Sequence, residues 1–133
     1  MFDRKFLDAW SPRLLSVLRI IVGFLFIAHG SSKLLHYPGD MGHVALFSLI
    51  GLAGLLELVG GALIILGLFT RPVAFILSGE MAFAYFMAHA PSGFWPYLNH
   101  GEAAVYYCFT FLYFAAAGGG TWALDRFIGR KRG

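Results

Sequence analysis

Three ionisable side chains stand inside otherwise apolar runs of this chain: Arg19, Glu57 and Glu80. Glu57, in the stretch LLELVGG, is the sole ionisable residue between His43 and Arg71. A charge at the centre of a bilayer costs at least about 2.5–3.5 kcal/mol, so each of these groups must face a partner or a cavity. At about 100° per residue, Arg19, Gly23, Phe26, Gly30 and Lys33 share one helical face, and Glu57, Gly61 and Ile64 share another. Compared by depth, Arg19 reaches Glu80 directly, or Glu57 by extending upward. The economical expectation makes Glu57 the counter-charge of Arg19. Two chemistries follow. Either the pair fixes helix register as a structural contact, or Arg19 and Glu57 form a catalytic pair that polarises or exchanges protons with a bound ligand.

A second group gathers at the other ends of the apolar runs. All five histidines, His29, His36, His43, His89 and His100, fall there, together with Lys33, Asp40, Asn99 and Glu102. Histidine titrates near neutrality, shuttles protons and binds metals. There is no HxxxH or HExxH, and the histidines come from different segments, so no metal site is expected. His29 and His89, each beside apolar neighbours, have the best claim to a ligand-binding role. Glu102 sits in the first turn of the last apolar run, where a carboxylate complements the helix dipole. Glu102, Tyr106, Phe109 and Tyr113 share a face that either holds a flat ring or packs in the core. Cys108 is the only cysteine, which excludes a CxxC pair, and it reads as a packing residue.

The elements that must position these groups are helices in lipid. The chain has 133 residues, enough for one domain, with 59% hydrophobic and 13% charged residues, against about 25% charged in soluble domains. So small a protein cannot cover that apolar surface in water. Segments at about 14–35, 44–69, 73–89 and 102–124 each approach the roughly 20 residues that a spanning helix needs. The expected fold is an all-α, four-helix transmembrane bundle. No small-residue cleavage site closes the first segment before Lys33, so a cleaved signal peptide is not expected. Arg4, Lys5, Arg13, Arg71, Arg126, Arg130, Lys131 and Arg132 all fall on one side, whereas the loops HYPGDMGH and APSGFWPYLNHG contain no Lys or Arg. That asymmetry predicts an N-in/C-in orientation and argues against nucleic acid as the partner of the +3 net charge. Positions four apart, Ala53/Glu57/Gly61 interleaved with Gly54 and Gly60, and Ala74/Ser78/Ala82, carry small residues that allow close helix packing.

Three stretches resemble the DoxX family of small four-helix bacterial membrane proteins. They are LRIIVGFLFIAHGSSKLL, LLELVGGALIILGLFTRPVA and FWPYLNHGEAAVYY. They are similar to the family's R…G…F…HG..KL first helix, its E..GG..L..GL.TR block and its N.GE entry to the last helix. The matching polar positions are Arg19, His29, Lys33, Glu57, Arg71, Asn99 and Glu102. The family includes the membrane subunit of an archaeal thiosulfate:quinone oxidoreductase and members proposed to work with periplasmic or membrane-associated redox partners. The resemblance therefore implies a bacterial inner-membrane location and a quinone-linked redox subunit without metal or nucleotide. A quinone would be held by His29, Lys33, Glu80, Asn99, Glu102 and Tyr106, with Glu57 and Arg19 catalytic. The alternative is a non-enzymatic membrane scaffold or a small-molecule transport component, which as four short helices would need a homo-oligomer. Dithiol chemistry of the vitamin K epoxide reductase type is excluded by the single cysteine.

Overall fold

The computed structural model describes residues 2–131, with the backbone alone for Arg130 and Lys131; Met1, Arg132 and Gly133 lie outside it. Every regular element among the described residues is helical. Helix α1 spans Arg4–Leu34, α2 Leu49–Leu66, α3 Thr70–Ala84, α4 Pro96–Asn99, α5 Glu102–Ala117 and α6 Asp125–Lys131. A π turn at Tyr85–His89 and a 3-10 turn at Ala90–Ser92 carry α3 onward. Three helical stretches, Arg4–Leu34, Leu49–Leu66 and Thr70–Ser92, are long and apolar enough to cross a membrane, and α5 is a shorter apolar helix.

The helix ends differ from the expected segments for local reasons. Asp3 caps α1, accepting from the Phe6 N–H at 2.8 Å, so the helix begins ten residues before the apolar run. Its 31 residues rise about 46 Å, well beyond a hydrocarbon core of about 30 Å. The early turns carry Arg4, Lys5 and Asp8 beside exposed Phe6 and Trp10, a composition suited to the membrane interface. Ser48 caps α2 by accepting from Gly51 N–H, and Gly67 at φ 67° ends it. Helix α5 stops at Ala117 because Gly118 and Gly120 adopt φ 82° and 81°, left-handed conformations that break the helix.

Helices α1 and α2 lie antiparallel with their glycines matched. A Cβ on Gly30 would stand 2.7 Å from the Gly54 carbonyl oxygen and 2.7 Å from the Leu58 nitrogen, and one on Gly23 would stand 3.2 Å from the Gly61 oxygen. The backbones come this close only without side chains between them. The core is small and aromatic. Phe26 meets Phe111 edge-on at 4.9 Å and Tyr107 at 5.1 Å, over Ile64, Leu77 and Phe114. Large apolar side chains such as Phe24, Phe47, Phe75 and Phe86 face outward, which places lipid rather than water around the helices.

The loop after α5 folds back on the start of the chain. Thr121 N–H donates to the Pro12 carbonyl, and the Leu124 and Asp125 N–H groups donate to Leu66 and Gly67. The N-terminal half of α1, the α2–α3 turn and the last helix thus gather at one end of the molecule. Lys33, His89 and Asn99 lie at the other.

Candidate functional site

Arg19 and Glu57 do not meet. The Arg19 side chain is fully buried and spends its donors on carbonyls: Nε on Ile64 at 2.8 Å, Nη2 on Trp122 at 2.9 Å and Ile65 at 3.4 Å, and Nη1 on Gly119. Ile64 and Ile65 belong to the last turn of α2, whose carbonyls lack helical partners and carry the negative end of the helix dipole. The guanidinium is therefore a C-terminal cap delivered from another helix. It also ties α1 to the loop after α5. Asp125 is the carboxylate nearest in charge terms.

Glu57 is 1% exposed and pairs with Lys33 instead, whose Nζ stands 2.7 Å from Oε1 and 2.6 Å from Oε2. The expected Arg19–Glu57 pair fails because the glycine register sets Arg19 beside Ile65. That is eight residues, or about 12 Å of helix rise, from Glu57. Lys33 starts in the last turn of α1 and reaches the carboxylate with its Nζ. Matching Gly23 with Gly61 and Gly30 with Gly54 would have revealed this register from the sequence.

Glu80 on α3 faces the same place, with Glu57 and Lys33 as its charged neighbours. Both of its carboxyl oxygens are enclosed and accept no hydrogen bond, and the Glu57 carboxylate lies within hydrogen-bonding reach of them. Lys33, Glu57, Glu80 and His89 form the polar wall of a cavity of about 880 Å³ between α2 and α3, otherwise lined by apolar side chains such as Leu52, Leu56, Phe83 and Met87. Leu52, Phe83 and Met87 are themselves exposed on the lipid-facing surface. The cavity is a groove entered from the bilayer.

The other candidates divide. His29 lies in the field of Glu57 and Lys33 and meets Tyr107 edge-on at 5.6 Å. His89 Nδ1 contacts the Asn99 carbonyl at 3.1 Å. Asn99 is 3% exposed, and its side chain is engaged by Tyr85, Gly93 and Gly101, so it organises the loop before α5 and is not turned to the groove. Tyr106 is 73% exposed and Phe109 and Tyr113 also point outward, so the aromatic stripe faces away from the interior. Tyr107, one residue on, is the inward ring. Glu102 is exposed in the first turn of α5. In the α1–α2 loop, His36 and Asp40 pair at 2.8 Å; the Gly42 N–H, and then His36, hold the Asp40 carboxyl below its usual range. Ser78 donates to the Cys108 carbonyl at 2.7 Å, in the interior between α3 and α5. Among the described residues, no three His, Cys, Asp or Glu side chains are placed to share a metal ion.

Ser16, Thr70 and Asp125 were not singled out by the sequence, yet all three are structural centres. Ser16 is fully buried, donates to the Gly119 carbonyl and accepts from Trp122 N–H. Asp125 accepts from the Phe69 and Thr70 N–H groups at 2.6 and 3.0 Å, capping α3 from 55 residues away. The triplet Gly118–Gly120 was the available signal that the chain turns sharply there.

Apolar helices with outward-facing rings, and a polar groove open to lipid, define a multi-pass membrane protein. The chain belongs to the DoxX family, whose model matches residues 14–90. It is 47% identical to an uncharacterized protein of Haemophilus influenzae over 131 residues, covering 94% of this chain and 98% of that one. It is 30% identical to a Bacillus subtilis protein named "Putative oxidoreductase CatD", covering 88% of this chain and 90% of that one. An uncharacterized membrane protein of Mycobacterium tuberculosis is 27% identical, over 96% of this chain and 88% of that one. No solved structure matches the chain significantly.

Proposed function

We propose that this protein is a four-helix, N-in/C-in component of a bacterial inner membrane that binds a quinone in the α2–α3 groove and works with an oxidoreductase partner. Glu80 carries the reading. Two carboxylate oxygens enclosed without a donor, beside an ion pair that already uses its lysine, leave one acceptor site for a ligand hydroxyl or a proton. A cavity near 880 Å³ suits a ring with part of its tail. The oxidoreductase name of the Bacillus relative supports the reaction class.

A bound quinone supplies a couple of two electrons and two protons. The chain's own residues would hold the ring between Leu56 and Phe83, and Glu80 would accept from one hydroxyl of the reduced form and take that proton, the second leaving from the other hydroxyl at the open side of the groove. Lys33 stays on Glu57 and keeps α1 against α2. His89, at the outer end of the groove, is placed to relay that proton outward. With one cysteine in the chain, electrons pass to or from a periplasmic or membrane-associated redox protein. The orientation is supported by Arg4, Lys5, Arg13, Arg71 and Arg126 lying at one end. Helix α5, 16 residues long and about 24 Å, serves as the fourth span in a locally thinned bilayer.

The test is extraction of the protein in mild detergent, with quinone measured by mass spectrometry. Wild type is expected to carry about one quinone per chain and Glu80→Gln at least about tenfold less, through loss of the hydrogen bond made there, with equal melting once both are stripped of quinone. A bundle empty in both samples would sink the quinone reading. It would favour the non-enzymatic scaffold or transport component.

A further inference from the structure

We propose that a second cavity, at the end carrying both termini, binds a phosphate-bearing anion through Arg71, Arg126 and the Thr70 hydroxyl. The cavity measures about 660 Å³ and lies under the Gly118–Gly120 loop, far from the α2–α3 groove. Thr70 is fully buried, lines this cavity, and its Oγ1 has no hydrogen-bond partner. It is the second of only two residues with orphaned side-chain oxygens among those described, the other being Glu80. A hydroxyl enclosed without a partner is costly and points to a ligand that completes it.

The charges around the hydroxyl select the ligand's sign. Arg71 forms no ion pair among the described residues and stretches toward the glycine loop, its Nε 3.2 Å from where a Cβ on Gly118 would stand. Arg126 uses Nη1 on the Thr121 carbonyl and is otherwise exposed at the rim. The one carboxylate present, Asp125, already has each oxygen on a backbone N–H of Phe69 or Thr70. The N-terminus of α3 is thereby capped, and an incoming anion is met by side chains. Arg19, behind the loop, is spent on carbonyls. One free guanidinium and one partly engaged, against one occupied carboxylate, leave the cavity positive. Guanidinium forks with a hydroxyl donor match the several acceptor oxygens of a phosphate group. Bare glycines form the cavity roof, and a Cβ on Gly119 would stand 3.0 Å from Thr70 Oγ1, closing the approach.

A phospholipid headgroup and a free phosphate share this chemistry, and the experiment separates them. Purified wild type, Thr70→Val and Arg71→Gln are titrated with phosphatidylglycerol by native mass spectrometry and melted with and without inorganic phosphate. Thr70→Val is expected to weaken binding about three- to tenfold through one lost hydrogen bond, and Arg71→Gln at least about tenfold through a lost fork. Without ligand, Thr70→Val should melt like wild type, because its hydroxyl has no partner to lose. Lipid binding that phosphate does not compete for assigns a headgroup. Phosphate that raises the wild-type melting temperature and displaces the lipid assigns a free phosphate. Absence of binding to wild type, or equal binding by wild type and Thr70→Val, would overturn the site, since simple surface attraction would spare the buried hydroxyl. If Arg71→Gln fails to fold, Thr70→Val decides alone.

Discussion

Lys33 of α1 holds both carboxylate oxygens of Glu57 of α2, at 2.7 and 2.6 Å, with 18% of the lysine side chain and 2% of the glutamate side chain exposed. An ion pair this enclosed is a weak source of net stability but a strong constraint, because either partner alone is a stranded charge.

Lys33→Met should therefore cost about 3–5 kcal/mol of stability, the usual penalty for stranding one member of a buried pair. Lys33→Met combined with Glu57→Leu should recover most of it. Unfolding in detergent followed by circular dichroism reads both, and a tolerated single variant would mean that Glu57 is neutral or solvated.

Arg19 and Glu57 belong to separate networks, so their effects should add. Arg19→Gln strips a cap from α2 and a strut from the loop at Gly119 and should destabilise by about 3 kcal/mol or more. A double-mutant cycle with Glu57→Gln should give a coupling energy below about 0.5 kcal/mol. A coupling above about 1 kcal/mol would restore the direct pair.

Gly30→Ala should loosen the α1–α2 seam. The new methyl meets backbone atoms of Gly54 and Leu58 at 2.7 Å, and backbone cannot rotate aside, so a loss of about 1–3 kcal/mol is expected. Gly79→Ala is the control, because nothing lies within 4 Å of its Cβ position; as a mid-helix glycine it should gain up to about 1 kcal/mol. Equal melting of the two variants would refute the close approach.

In quinone-free protein, Glu80→Gln should leave stability unchanged or raise it slightly, since bound ligand would itself add stability to wild type. Its oxygens accept no hydrogen bond that would be lost, and the amide can carry no charge beside Glu57. A drop beyond about 1 kcal/mol would instead identify Glu80 as part of the structural pair network.

Three long apolar helices were legible because lipid demands long apolar runs, and α2 occupies the middle of its expected 44–69 segment, trimmed by Ser48 and Gly67. The ends were less so. Helix α1 reaches back to Arg4 because the Asp3 cap and an interfacial face continue it past the apolar boundary, and α5 stops early where left-handed glycines begin. The groups Lys33, Glu57 and Glu80 could be read as a polar cluster, since ionisable residues in apolar runs stand out. Which partner each one takes could not, because depth along a helix does not fix interhelical register. That information sat in the glycines. Tyr106 and Tyr107 show the same limit: adjacent residues on a helix differ by about 100°, and only packing against Phe26 decides which one turns inward.

The Arg19 cap also orders events during synthesis. Its first acceptors, Ile64 and Ile65, are 45 and 46 residues downstream, and the rest, Gly119 and Trp122, are 100 and 103 residues downstream. A first helix inserted alone thus holds an unsatisfied guanidinium in the membrane; α2 brings its first two acceptors, and the last two arrive only with the glycine loop, late in translation.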